Sequence, residues 1–178
     1  MTQPEYYKAK TEPSDKELAI LREPRVATVA TVTPSGAPHV IPCWYVFDDA
    51  EVPRFYTTVA STSRRAKNIM KSGTARILVE HPMGWISAIG PAKVLVAGVD
   101  RSAEEVRALH GRVTHRYLTE EGRKHFLDAS GVPDDAAIEI TVERWMSWDM
   151  SQNFQSMAEN RSPTGVRGWF VPVGKRDL

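Results

Sequence analysis

From Val26 the chain alternates small and β-branched residues, Val26-Ala27-Thr28-Val29-Ala30-Thr31-Val32, and then meets a turn signal, Thr33-Pro34-Ser35-Gly36-Ala37-Pro38. This pattern predicts a β-hairpin whose second arm runs from His39 to Phe47. Pro42 within that arm cannot donate to a ladder, so it marks an edge, a bulge or a stretch where a ligand takes over the hydrogen bonding. Further strands are expected at Arg54 to Thr58, Thr74 to Glu80, Trp85 to Gly90, Ala92 to Val99 and Ala137 to Trp145, with a bend at Gly90-Pro91. Helical patterns interrupt them. Ser14 with Glu17 has capping-box spacing and opens a short helix to Arg22, expected to pack over a barrel end. Ser102 with Glu105 repeats that spacing and opens a helical region to about Ala129, broken near Gly111 or near Leu118-Thr119.

Six or so short strands with a helical insertion before the last describe a mainly β, α+β fold: a small antiparallel barrel with peripheral helices. The early hairpins lie too close together for crossover helices, and neither a Gly-x-Gly-x-x-Gly turn nor a Walker loop is present, which disfavours a parallel sheet. The 178 residues suit one compact unit.

Charge narrows the functional classes. The 23 basic and 22 acidic side chains leave a formal net charge of +1, so no global field favours nucleic acid or a membrane surface. No apolar run reaches the roughly 20 residues needed to span a bilayer, and the first residues lack a signal core, so a cytoplasmic location is expected. Cys43 is the single cysteine, which excludes an internal disulfide and multi-cysteine metal sites. It reads as a small buried hydrophobe, since nothing in the sequence marks a base or cation poised to activate it. No histidine pair has helical metal spacing with a carboxylate, and no nucleophile elbow is present.

One segment stands out chemically. Phe55-Tyr56-Thr57-Thr58-Val59 reads as a strand feeding a helix that begins Ser63-Arg64-Arg65-Ala66-Lys67-Asn68-Ile69. Cations in a first helical turn oppose the helix dipole, so Arg64, Arg65 and Lys67 make physical sense with an anion among them. Ser63 serves as N-cap and can donate its hydroxyl to that anion. Taken alone, Trp44 and Trp148 read as core residues, Gln152 as a surface residue and His39 as a polar strand end.

These segments, with Gly84-Trp85 through Gly90-Pro91-Ala92 and Trp148-Asp149-Met150-Ser151-Gln152, resemble in order and spacing the pyridoxamine phosphate oxidase-like flavin and deazaflavin oxidoreductases, the FMN-binding split-barrel superfamily. The resemblance implies a six-stranded antiparallel split barrel at residues 25–148, preceded by an arm and short helix (1–24) and followed by a tail (149–178) packed on the barrel or on a dimer partner. It implies a homodimer with flavin sites at the subunit interface. It assigns the cofactor phosphate to Arg65 and Lys67 with Ser63 and Arg64. His39, Val40, Ile41, Pro42 and Trp44 would line the ring, Thr57 and Thr58 would contact the ribityl chain or ring edge, and Trp148 and Gln152 would reach the site from the tail. An Arg-x-His substrate signature of the vitamin oxidases is absent, which disfavours that substrate. The leading expectation is an FMN-dependent oxidoreductase acting on a small organic molecule. A deazaflavin-dependent reductase, a non-catalytic flavin- or haem-binding protein and a cofactor-free interaction domain are the alternatives.

Overall fold

The computed structural model describes residues 12–129 and 135–149. The arm at 1–11 and the tail from Met150, which includes Gln152, lie outside the described residues. Helix α1 (Asp15–Arg22) starts at the Ser14 cap, where the Ser14 and Glu17 side chains satisfy each other's backbone amides. Eight strands follow: β1 (Ala27–Val32), β2 (Pro38–Cys43), β3 (Val46–Asp48), β4 (Arg54–Val59), β5 (Thr74–His81), β6 (Gly84–Val96), β7 (Ala136–Thr141) and β8 (Arg144–Asp149). Helix α2 (Arg64–Ser72) joins β4 to β5, and α3 (Ala103–Tyr117) with α4 (Glu120–Ala129) fills the gap between β6 and β7. The helical region therefore breaks at Leu118-Thr119, and Gly111 lies inside α3.

All the named strand pairings are antiparallel, in the order β2-β1-β5-β6-β7-β4-β3, with β8 also on β6. The sheet curls into a split barrel. Strand β6 is the hinge of that curl: residues 84–89 pair with β8, whereas Ala92–Val96 pair with β7. Gly90 sits at the changeover, and a Cβ there would lie 2.0 Å from the Thr141 carbonyl oxygen, so only glycine allows the approach. The two pieces expected on either side of Gly90-Pro91 are thus one bent strand. Conversely, the arm expected from His39 to Phe47 is two strands, broken at Trp44-Tyr45, and the last strand is divided at Val142-Glu143 into β7 and β8. These divisions raise the count from about six to eight.

The barrel interior is filled by alternate residues of the strands, including Ala27 and Val29, Phe55, Ile77 and Val79, Ile86 and Ala88, Ile138 and Ile140, closed by Leu21 from α1 and Ile69 from α2. Tyr45, Phe47, Phe55 and Trp145 form an aromatic cluster within it. On the opposite face of the β2-β1-β5-β6-β8 part, the register places Val32, Val40, Leu78, Ile89, Met146, Trp85 and Trp148 on one side, all exposed or half-buried. No helix among the described residues is long and apolar enough to cross a membrane.

Candidate functional site

Among the described residues β2 pairs only with β1, and Pro42 lies on that edge strand opposite Thr28. The terminal strands of the described sheet are β2 and β3, and the barrel is split on that side. A cleft of about 360 Å³ lies there, lined by Val26, Pro42, Cys43, Trp44, Thr58, Arg65 and Phe126. Residues from β2, its link to β3, β4, α2 and α4 converge on it.

Arg65 is the centre of the cleft because of helical phase. Residues 65, 68 and 69 share the inward side of α2, while Arg64 and Lys67, three apart, share the exposed side. The Arg65 Nη2 donates to the Thr58 carbonyl (2.9 Å), but its Nη1 is buried and has no hydrogen-bond partner among the described residues. The Thr57 hydroxyl, on a residue only 2% exposed, is likewise buried and unpartnered. Both groups face the Cys43 thiol without meeting hydrogen-bond geometry. Burial pushes that thiol up from its ordinary 9.0, outweighing the Thr57 hydroxyl and the Arg65 charge that pull it down. Cys43 is therefore a neutral thiol at neutral pH. A cation does stand beside it, contrary to the reading of its sequence surroundings, yet desolvation wins.

The helix start is open to an anion. Ser63 Oγ accepts from the Ala66 amide (3.1 Å), leaving the Arg64 and Arg65 amides without a partner among the described residues. No acidic residue occurs in the first turn. No ion pair among the described residues involves Arg64, Arg65 or Lys67. Asp135 is used elsewhere: its carboxylate accepts from the Ser61 amide (2.9 Å) and the Ser61 hydroxyl, bonds that hold it below the ordinary carboxylate range and tie the loop before α2 to the start of β7.

A buried relay sets the position of β2 against α2. Asn68 Nδ2 donates to Thr31 Oγ1 (3.0 Å), and the Thr31 hydroxyl donates to the His39 carbonyl (3.4 Å) with the His39 ring Nδ1 at 3.5 Å. The sequence reading does not name Asn68, Val26 or Phe126 as site residues. Asn68 carried a signal, a polar residue on the inward side of an amphipathic helix. Phe126 carried none, because α4 is distant in sequence.

Of the residues named from sequence, Pro42, Trp44, Thr58 and Arg65 line the cleft, and Thr57 lies just beneath it. Val40 is exposed on the outer sheet face, and His39 and Ile41 are half-buried on the inner side of β2. Ser63 caps the helix, with Arg64 and Lys67 on its surface. Trp148 stands on β8 opposite Trp85 and does not line the cleft of its own chain. Trp44 stacks on Tyr117 (centroids 5.1 Å apart, planes 7° apart) and meets Phe126 at 5.4 Å.

The curled antiparallel sheet with a cation-headed helix beside its cleft is a split barrel. Residues 14–149 match the family model for pyridoxamine 5'-phosphate oxidase, and the chain belongs to that family. It is 29% identical over 132 residues to the F420H(2)-dependent biliverdin reductase of Mycobacterium tuberculosis, covering 74% of this chain and 85% of that one. Among solved structures, the conserved hypothetical protein Rv2991 of Mycobacterium tuberculosis has a TM-score of 0.64 at 22% identity, over 86% of this chain and 92% of that chain. A Clostridium acetobutylicum protein related to general stress protein 26 has a TM-score of 0.56 at 12% identity, over 75% and 86%. The solved structures show the fold, and the family match with the F420H(2)-dependent relative supports a flavin or deazaflavin type of cofactor.

Proposed function

We propose that this protein is a reductase that takes a hydride from a reduced deazaflavin cofactor and delivers it to a small organic acceptor. The observation that carries this reading is the helix start at α2: three cations, no acid in the first turn and, among the described residues, two amides and a buried Arg65 Nη1 with no partner. That donor set fits a phosphate. Arg65 and the Arg64 and Arg65 amides would hold it, while exposed Arg64 and Lys67 supply positive charge beyond what one phosphate monoester requires, which suits a longer anionic tail. The similarity to a reductase that works with F420H(2) supports the same choice. When bound, the cofactor supplies the hydride; the chain orients it and excludes water. Pro42, Cys43 and Trp44 would flank the ring, and the neutral Cys43 thiol adds no competing charge there. FMN is the second reading, favoured by the family model itself.

A homodimer is proposed as well, because the outer sheet face gathers Val40, Leu78, Ile89, Met146, Trp85 and Trp148 among the charged Arg76, Glu80 and Arg144, an apolar patch with charged neighbours that a second copy would cover. Equilibrium titration of the purified protein with F420 and with FMN, followed by cofactor absorbance, tests the main reading. Tighter binding of F420, with oxidation of its reduced form by an acceptor only in the presence of protein, is expected. Failure to bind either cofactor would sink it.

A further inference from the structure

The cofactor reading uses one side of the cleft, namely Pro42, Cys43, Trp44, Thr58 and Arg65, and leaves the other side unexplained. Val26 and Phe126 remain there, 56% and 40% exposed. Apolar side chains this large at the mouth of a cleft mark a contact surface for a ligand. Phe126 is also braced. One face of Trp44 lies flat on Tyr117, Phe126 leans on Trp44 at 41°, and the Tyr117 hydroxyl is fixed by the Arg25 carbonyl (2.7 Å) and by Tyr45. The three rings thus form a supported aromatic wall ending at an open phenyl group.

Resting on the reductase reading, we propose that Phe126, carried on the helical insertion between β6 and β7, determines specificity by stacking a planar, conjugated acceptor against this wall. An aliphatic rim would accept any apolar molecule of suitable size. A braced aromatic ring adds a preference for flat π-systems, whose quadrupoles match in offset or edge-to-face contact. With Arg65 committed to the cofactor phosphate, the rest of the cleft lining is uncharged, so the wall selects by shape and not by charge. Reduction of such a molecule moves a hydride from the reduced cofactor to the conjugated system, and a solvent proton completes the two-electron, two-proton balance.

The test uses anthraquinone-2-sulfonate as a planar anionic probe and cholate as a puckered, saturated anion. Each is titrated into the full-length protein, cofactor-free, with tryptophan fluorescence as readout and Trp44→Phe identifying the Trp44 contribution. The planar probe is expected to bind more tightly than cholate. Phe126→Ala should weaken the planar probe about tenfold and leave cholate unchanged, while Phe126→Tyr keeps the affinity. In parallel, F420 and FMN are titrated into wild type and Phe126→Ala. If neither cofactor binds but the planar probe still depends on Phe126, the wall stands and the reductase reading falls. If a cofactor binds equally to both proteins and the planar probe ignores Phe126→Ala, the proposal is overturned. It is also overturned if Phe126→Ala weakens the cofactor instead of the probe.

Discussion

Helices α1 and α3 begin in the same way and α2 begins differently. At the first two, Ser14 with Glu17 and Ser102 with Glu105 close reciprocal capping boxes, and acidic residues fill the first turn. At α2, Ser63 caps alone, the third residue on is Ala66, and the turn carries arginines instead of acids. The chain places acids in the first turns of α1, α3 and α4 and withholds them only at α2. Partial positive charge on unpaired amides is compensated locally in α1 and α3, whereas in α2 it is added to by side chains and left for something else to neutralise. A helix start that serves folding and one that serves binding are thus told apart here by the sign of the first-turn charge.

The largest break in this contrast comes from Arg65→Ala. Loss of a charge-assisted phosphate contact at a partly buried site costs about 2–3 kcal/mol, so cofactor affinity should fall roughly 30- to 150-fold by titration. Ligand-free stability should change by only about 1 kcal/mol, because losing the bond to the Thr58 carbonyl is offset by removing a buried unpartnered Nη1. Unaltered affinity would mean that the cofactor lies elsewhere.

Lys67→Glu gives a smaller effect of opposite sign in two measurements. The side chain is exposed in the first turn of α2, so a carboxylate there interacts favourably with the helix dipole by about 0.3–1 kcal/mol. The ligand-free Tm should rise by about 1–3 °C, while cofactor affinity falls on the order of fivefold. Both changes in the same direction would remove the distinction between a folding and a binding helix start.

Much of this contrast was legible in the sequence, since caps and first-turn charges are local. Ser14, Glu17, Ser102 and Glu105 announced their boxes, and the clash of Arg64, Arg65 and Lys67 with the dipole announced an anion site. Breaks imposed from a distance were not legible. The apolar run through Trp44 and Tyr45 suits an unbroken strand, yet the hydroxyl of Tyr117, 72 positions away, accepts from the Tyr45 amide and takes the place of a ladder partner. The bend of β6 was visible in Gly90-Pro91, but its continuity depends on the Thr141 carbonyl filling the space of an absent side chain. In the site, helical phase could have separated inward Arg65 from outward Arg64 and Lys67. No local pattern could have brought Phe126 to the same cleft.

The subtlest test of the comparison is acid titration. The Ser102 amide and hydroxyl donate to the Glu105 carboxylate (3.0 and 2.9 Å) and hold it below its ordinary 4.5, with a smaller contribution from Arg101. A carboxyl group depressed by folding contributes fully above its unfolded value and loses that contribution as pH falls through the lower folded value. The amide resonances of Ser102 and Glu105 should therefore shift with a midpoint below 4.5, in the acid limb only. The Ala66 amide, bonded to the uncharged Ser63 hydroxyl, should show no such transition over the same range, because α2 has no carboxylate in its cap. A midpoint at or above 4.5 for Glu105 would mean that its box does not form in solution. A matching transition at Ala66 would place an acid at the α2 start and remove the reason for an external anion there.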